Sequence, residues 1–199
     1  MKIGITGTIA SGKTTVSYLM KKRGYPVFNA DRYAGMCLHH GNPVCEKIAE
    51  AFPEVMDENQ DVDRKKMSEI VFSDEDKRKL LNSLVHPYVI EGMKNFFVHQ
   101  KKVPFVFAEV PLLFEAGLED DFDKIIVVTC EKETAIKRMM EDREYTKEQA
   151  EARLASQIDG WKQIEKADYV LHNDGDLKQL NDEINQIFKE LRKERRVAC

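Results

Sequence analysis

A chain of 199 residues can bury one sizeable α/β core and a small appended lobe. Its net charge of −4 excludes a global positive field that would gather nucleic acid or an anionic membrane surface. No apolar stretch approaches membrane-spanning length, and the four cysteines, at 37, 45, 130 and 199, form no C-x-x-C pair that would suggest a zinc site or a redox motif.

Cysteine usage of this kind fits a reducing cytoplasm. The apolar run after Lys2 is broken by Gly4, Thr6 and Gly7, so it does not read as a signal peptide. A cytoplasmic protein is expected, with no nucleic-acid or membrane partner. Nothing marks a dimer interface, and a monomer is expected, with weak oligomerisation as the alternative.

The first element, Lys2 to Thr6, is a short β-type run. It leads into Gly7-Thr8-Ile9-Ala10-Ser11-Gly12-Lys13-Thr14, which reads G-x-x-x-x-G-K-T. Helical spacing follows over 14–22, with Val16, Leu19 and Met20 on one face. Strand, glycine loop and helix form the arrangement that binds a nucleoside triphosphate. Amides of Ala10, Ser11, Gly12, Lys13, Thr14 and Thr15 would point inward at the positive end of the helix dipole. Lys13 can reach the β- and γ-phosphates, and the Thr14 hydroxyl can hold Mg²⁺. The dinucleotide fingerprint G-x-G-x-x-G does not occur.

Gly24-Tyr25-Pro26 ends this helix, and Val27-Phe28 reads as a second strand that delivers Asn29-Ala30-Asp31-Arg32 to a strand end. Ligand crevices of open α/β sheets lie at such ends. Asp31 is a candidate catalyst, and it can also cap a helix over 32–39. Residues 35–102 then break the alternation of strand and helix. Helices are expected over 43–52, 63–72 and 73–100, with Ser73 as the capping residue of the last and His86-Pro87 interrupting it. Such an insertion would form a lid or substrate lobe.

Val103 to Val110 is nearly continuously apolar, as a strand buried on both faces should be. It ends near Glu109 and Glu115, candidates for the carboxylate that organises magnesium in phosphate-loop enzymes. A fourth strand is expected at 124–130 and a helix over 131–143 carrying Arg138 and Arg143. Thr146 to Gln149 resembles a capping box opening a helix over 146–157 that carries Arg153. These three arginines suggest a lid over phosphates, since a guanidinium fork matches phosphate oxygens and stays charged. A solvated, salt-bridged surface is the plainer alternative. The fifth strand is expected at 167–172, followed by the Asn173-Asp174-Gly175 turn. A closing helix over 176–196 buries Leu177, Leu180, Ile184, Ile187, Phe188 and Leu191 on one face. Of the histidines only His86 has a suggestive setting, and Trp161 reads as packing near the lid.

Together these residues resemble the dephospho-coenzyme A kinase family over roughly residues 1–180. The matching pieces are GTIASGKTTV, Ala30-Asp31-Arg32, Asp63-Arg64 before Val71-Phe72, and His86-Pro87. Further along come VPLLFEAGL at 110–118, Arg138 with Arg143, Arg153-Leu154 with Gln157, and Ala167-Asp168 with Asn173 and Gly175. The resemblance implies a phosphate-loop α/β fold with a five-stranded parallel sheet. The core would be 1–34, 103–137 and 167–199, with a helical coenzyme lobe at 35–102 and a lid at 138–166. It implies transfer of the ATP γ-phosphoryl group to the ribose 3′-hydroxyl of dephospho-coenzyme A, with ATP and Mg²⁺ required. Asp31 would orient or deprotonate that hydroxyl, and Arg138 and Arg143 would stabilise charge on the transferring group. Asn173 and Gly175 would lie near the adenine. Arg64, His86, Glu109 and Leu113 would join Asp31 in contacting substrate, and Glu109 would help Thr14 hold the metal through water.

The family commonly has Asp where Asn29 stands and often Asp where Glu109 stands. The first departure leaves Asp31 without a companion acid. Another small-molecule kinase on the same fold remains an alternative. A GTP switch does not: no N-K-x-D motif is present, and strand three is followed by EVPLLFEAG. A nucleotide-binding scaffold without chemistry is disfavoured because Lys13 and Asp31 are both present.

Overall fold

The structure, a computed structural model, describes residues 1–143, 145–155 and 160–197, with the main chain alone at 143, 160 and 161. It divides into two compact units, residues 1–28 with 100–199, and residues 29–99.

The first unit is built on a parallel sheet. Its strands are β1 (Lys2–Gly7), β2 (Val27–Asn29, where the first unit passes into the second), β3 (Val106–Glu109), β4 (Lys124–Thr129) and β5 (Tyr169–His172). Their order is β2-β3-β1-β4-β5, so β1 lies in the middle. Strand β1 pairs in parallel with β3 on one side and with β4 on the other, and the register sets Ile5 beside Glu109 and Gly7 beside Val128. This alignment brings the end of β1 and the end of β3 to one edge of the sheet.

Helix α1 (Lys13–Lys22) follows β1 directly. It packs Val16 and Met20 into a core with Ile3, Ile5, Phe105, Phe107, Ile126, Val128 and Leu171. The C-terminal helix, labelled α9 once the others are placed, is Leu177–Val197. It adds Leu180, Ile184, Ile187, Phe188 and Leu191 to the same core. Leu177, expected on that buried face, is exposed at the helix start. Tyr25 stacks on Phe188 at 5.0 Å between ring centroids, which joins the end of α1 to the closing helix. Burial of this aromatic and aliphatic surface is the main source of stability here.

Two strands start later than the apolar pattern suggests. Pro104 has no N–H, and β3 begins only at Val106, whose amide donates to the Met1 carbonyl. The amides of Lys166 and Ala167 close turns onto Gln163 and Ile164, so β5 begins at Tyr169. At that end Lys124 Nζ lies 3.1 Å from Asp168 and 3.2 Å from Glu194. The hydrogen bond to Asp168, followed by that to Glu194, raises the Lys124 pKa above its ordinary value. A raised folded-state pKa contributes stability that is complete below the unfolded value, about 10.4, and is lost as pH rises through the folded one. The melting-temperature gap between the wild type and Lys124→Met should therefore hold constant from neutral pH to about 9 and shrink above about 10.4. A gap that is the same across that whole range would show that the charge of Lys124 contributes no stability.

The second unit is helical: α2 (Ala30–Met36), α3 (Pro43–Ala51), α4 (Arg64–Ser73) and α5 (Glu75–His99). The first three pack against α5. Their core contains Cys37, Val44, Cys45, Ile48, Phe52, Val55, Val62 and Met67. Burial pushes the Cys37 thiol up to about 11, as suits a packing residue and not a nucleophile.

Three local expectations are corrected in this unit. The cap of α2 is Asn29, whose Oδ1 accepts from the Arg32 amide at 2.7 Å; Asp31 lies in the first turn instead. The cap of α5 is Asp74, which accepts from the amides of Asp76 and Lys77, while the Ser73 hydroxyl bonds back to the carbonyls of Glu69 and Ile70. Helix α5 runs unbroken through Pro87. The proline removes one main-chain donor, but His86, Pro87 and Ser83 are all exposed, so the orphaned carbonyl of Ser83 lies at the surface and not in the core.

Tyr33 of α2 stacks on Tyr88 of α5 at 5.0 Å, and its ring fills the space that a Cβ at Gly92 would need. Asn42 Nδ2 donates to the Tyr88 hydroxyl at 3.1 Å. This packing fixes α2, the carrier of Asp31, against α5.

The remaining helices belong to the first unit: α6 (Lys132–Arg143), α7 (Lys147–Ala155) and α8 (Gly160–Glu165). The capping box at α7 is present in both directions. Thr146 N–H donates to Gln149 Oε1 at 2.9 Å, and Gln149 N–H donates to Thr146 Oγ1 at 3.3 Å. Among the described residues, no helix is long and apolar enough to cross a membrane.

Candidate active site

The loop from Gly7 to Gly12 joins β1 to α1 at the carboxyl edge of the sheet. Gly7 has φ 143, and a Cβ there would collide with the Val128 carbonyl oxygen of β4. Gly12 has φ 95, and a Cβ there would strike the Asn173 amide nitrogen. Both positions therefore require glycine for room as well as for backbone shape. Lys13 Nζ donates to the carbonyls of Gly7 at 2.9 Å and Thr8 at 2.8 Å, so its charge lies within the curve of the loop. Thr15 is half-buried in the first turn of α1.

Thr14 Oγ1 donates to Glu109 Oε1 at 2.9 Å. Glu109 ends β3 and is only 5 % exposed. The β1–β3 register makes this pairing possible across 95 residues of sequence. Of the two acids considered after strand three, Glu109 is brought to the loop. Glu115 is exposed. Leu113, expected among the substrate contacts, has no accessible surface. It lies against Gly4 of β1, where a Cβ would come within 2.7 Å of it, and so belongs to the core.

Arg138 was expected to face the transferring group. Its Nη1 instead donates to the Ala10 carbonyl at 3.2 Å, and its Nη2 to the Asn173 carbonyl at 2.7 Å. Asn173, expected beside the adenine, is buried, and its Nδ2 donates to the Ser11 carbonyl at 2.8 Å. Gly175 gives room to the Gln179 side chain, which accepts from Asp176 N–H while Asp176 Oδ1 accepts from Gln179 N–H. The turn after β5 is thus a support for the loop and a cap for α9.

Arg153 lies over the Tyr145 ring at 4.7 Å. The Arg143 and Trp161 side chains, and Gln157, lie outside the described residues. The α6–α7 hairpin packs Ile136, Met139 and Ala150 onto Ile9 and Ala10, with Tyr145 and Leu154 beside them. Sequence reasoning missed this contact. The available signal was an apolar Ile9-Ala10 pair inside an otherwise polar and glycine-rich loop.

In the helical unit Asp31, Arg64 and His86 are all exposed. Arg64 approaches α2, its Nη2 lying 2.9 Å from where a Cβ at Gly35 would stand. Asn29, the position where an acid was missing, makes the cap of α2 with its side-chain oxygen, a role that Asn and Asp fill about equally.

The oxygen donors at the loop fit a magnesium ion. Among the described residues no group of three or more His, Cys, Asp or Glu could hold a metal alone. A hydroxyl and one carboxylate, completed by phosphates and water, is what a hard, hydrated cation takes.

The dephospho-CoA kinase family model matches residues 1–179. A Bacillus cereus protein named dephospho-CoA kinase is 37% identical over 191 residues, covering 94% of this chain and 95% of its own. A solved Thermus thermophilus structure superposes with a TM-score of 0.84 at 32% identity, covering 96% of this chain and 97% of its own. The solved dephospho-CoA kinase of Campylobacter jejuni gives a TM-score of 0.70 at 30% identity, covering 98% of this chain and all of its own. With a phosphate loop seated on β1, Thr14 bonded to an acid at the end of β3 and a family match of this extent, the chain belongs to the dephospho-CoA kinase family.

Proposed function

We propose that this chain transfers the γ-phosphoryl group of ATP to the ribose 3′-hydroxyl of dephospho-coenzyme A, giving coenzyme A and ADP in the last step of coenzyme A synthesis. The observation that carries the reading is the family match over residues 1–179, joined to an intact G-x-x-x-x-G-K-T loop between β1 and α1.

Residues Ala10 to Thr15 hold the ATP phosphates with main-chain amides, and Lys13 adds charge to the β- and γ-phosphates. The acceptor oxygen bonds to the γ-phosphorus as the bond to the β–γ bridging oxygen breaks, and the hydroxyl proton leaves by way of Asp31 or water. Asp31 orients that hydroxyl. Arg143 stabilises charge on the transferring group from the α6–α7 lid. The helical unit, with Arg64 and His86, contributes the coenzyme contacts. The setting is cytoplasmic, and the chain works as a monomer.

Thr14 directly, and Glu109 through water, would hold Mg²⁺, which when bound neutralises phosphate charge. Glu109→Gln keeps a hydrogen-bond acceptor for Thr14 while removing the charge. The Mg²⁺ concentration for half-maximal rate should then rise about tenfold or more, as when a metal's outer support is lost. An unchanged magnesium requirement would remove Glu109 from the metal's surroundings.

The reading is tested by ADP release with ATP alone, with dephospho-coenzyme A, and with coenzyme A itself. Release should depend on dephospho-coenzyme A and fail with coenzyme A, whose 3′ position is already phosphorylated. Equal release with all three, or dependence on some other alcohol, would favour a different kinase on the same fold.

A further inference from the structure

We infer that Arg138 is a positioning residue that holds a strained phosphate loop in its working shape and does not itself act on the transferring phosphoryl group. The inference rests on the reading of the loop as the ATP site. Its starting point is Ala10, which has φ 58. That is the left-handed region, where a side chain crowds its own backbone and glycine is the ordinary occupant. A non-glycine residue stays there only when its surroundings hold it.

The surroundings are specific. The Ala10 carbonyl accepts from Arg138 Nη1 at 3.2 Å, a bond strengthened by the guanidinium charge. The Cys130 sulfur lies 4.0 Å from the same oxygen. Arg138 Nη2 donates to the Asn173 carbonyl at 2.7 Å, and Asn173 Nδ2 returns to the next loop carbonyl, Ser11, at 2.8 Å. Asn173 is itself anchored, its amide donating to Thr129 of β4 at 2.8 Å. Two successive loop carbonyls are therefore tied, through one arginine and one asparagine, to the sheet.

The arginine is held at its root as well. Met139, the next residue along α6, is fully buried in the cluster that contains Ile9 and Ala10. A planar fork holds two carbonyls on different segments in a fixed geometry; lysine offers a point charge on a flexible stem. A loop whose amides must face phosphate gains from having its carbonyls fixed pointing away.

A lid arginine acting on developing charge and a brace for Ala10 differ in how they respond to Ala10→Gly. Glycine carries no penalty at φ 58, so a brace becomes less necessary, whereas a charge contact to phosphate does not. The test compares Arg138→Ala in the wild-type chain and in the Ala10→Gly chain. ATP binding is measured by calorimetry without acceptor, amide hydrogen exchange of residues 8–12 in the free protein, and kcat at saturating ATP.

In the wild-type chain Arg138→Ala should weaken ATP binding about tenfold, speed exchange at 8–12, and lower kcat by a smaller factor. In the Ala10→Gly chain the same change should weaken ATP binding less than about threefold, the difference being the coupling between the two residues. Arg138→Lys, which keeps charge and loses the fork, should speed exchange nearly as much as Arg138→Ala. A kcat loss of equal size in both backgrounds, with exchange at 8–12 unmoved, would overturn the inference and return Arg138 to the chemistry. Binding and exchange need no acceptor, so they decide the matter even if dephospho-coenzyme A proves not to be the substrate.

Discussion

Lys13→Ala is expected to lower turnover by about a hundredfold or more while the protein still unfolds cooperatively. Phosphoryl transfer asks the protein mainly for positioning and charge stabilisation, and Lys13 is proposed to supply both. Its ammonium spans the carbonyls of Gly7 and Thr8, so removal takes away a charge at the phosphates and a tie across the loop. The core formed by Val16, Met20 and the sheet does not include Lys13, so the far-ultraviolet spectrum and the cooperativity of melting should persist. A variant that turns over at a near-normal rate would show that the loop does not hold the transferred phosphate. A variant that is unfolded would show that the ties to Gly7 and Thr8 matter for folding itself.

Asp31→Asn is expected to lower kcat by about a hundredfold or more, the size of effect seen when a positioned acid–base group is lost. The change keeps shape and removes charge. The structure sharpens this experiment, because the capping of α2 falls to Asn29 and not to Asp31. A fall in activity with an unchanged melting temperature therefore reports on the reaction and not on the helix. No second acid occupies position 29, so no neighbouring carboxylate there can take over. The KM for dephospho-coenzyme A should change little if the helical unit supplies most of its contacts. Full turnover in Asp31→Asn would send the search for the acid to Glu109 or Glu115.

The parts of this protein that were legible in the sequence are those set by local chemistry. The phosphate loop carries its own conformational signature in Gly7, Gly12, Lys13 and Thr14. Apolar runs marked β3 and β4, and 3.6-residue spacing marked α9, because burial against one sheet imposes those periods. Glu109 was one of two acids in range; the parallel register of β1 and β3 selected it by placing it beside Ile5.

What could not be read depends on contacts between distant residues. Arg138 reaches Ala10 across 128 positions, and Asn173 reaches Ser11 across 162. No periodicity encodes such pairs, so Arg138 read as a lid arginine and Asn173 as an adenine neighbour. Leu113 belongs to a motif, and only the packing against Gly4 shows it to be core. The capping residues failed differently. Asn29 and Asp31, or Ser73 and Asp74, are equally plausible caps by type, and a shift of one or two residues in the helix start decides between them. Pro87 read as a break because proline usually is one; packing of α2, α3 and α4 along α5 outweighs a single missing hydrogen bond at the surface.

In the proposed reaction the γ-phosphoryl group of ATP arrives on the 3′-oxygen of dephospho-coenzyme A. This transfer is tested most directly by giving the purified protein ATP labelled in the γ-phosphate together with dephospho-coenzyme A and magnesium, then locating the label in the products. Label is expected in a product that co-elutes with coenzyme A and is released by a 3′-nucleotidase, with one ADP formed for each coenzyme A. Label recovered as free phosphate at the same rate with and without dephospho-coenzyme A, or on any other position of the acceptor, would contradict it.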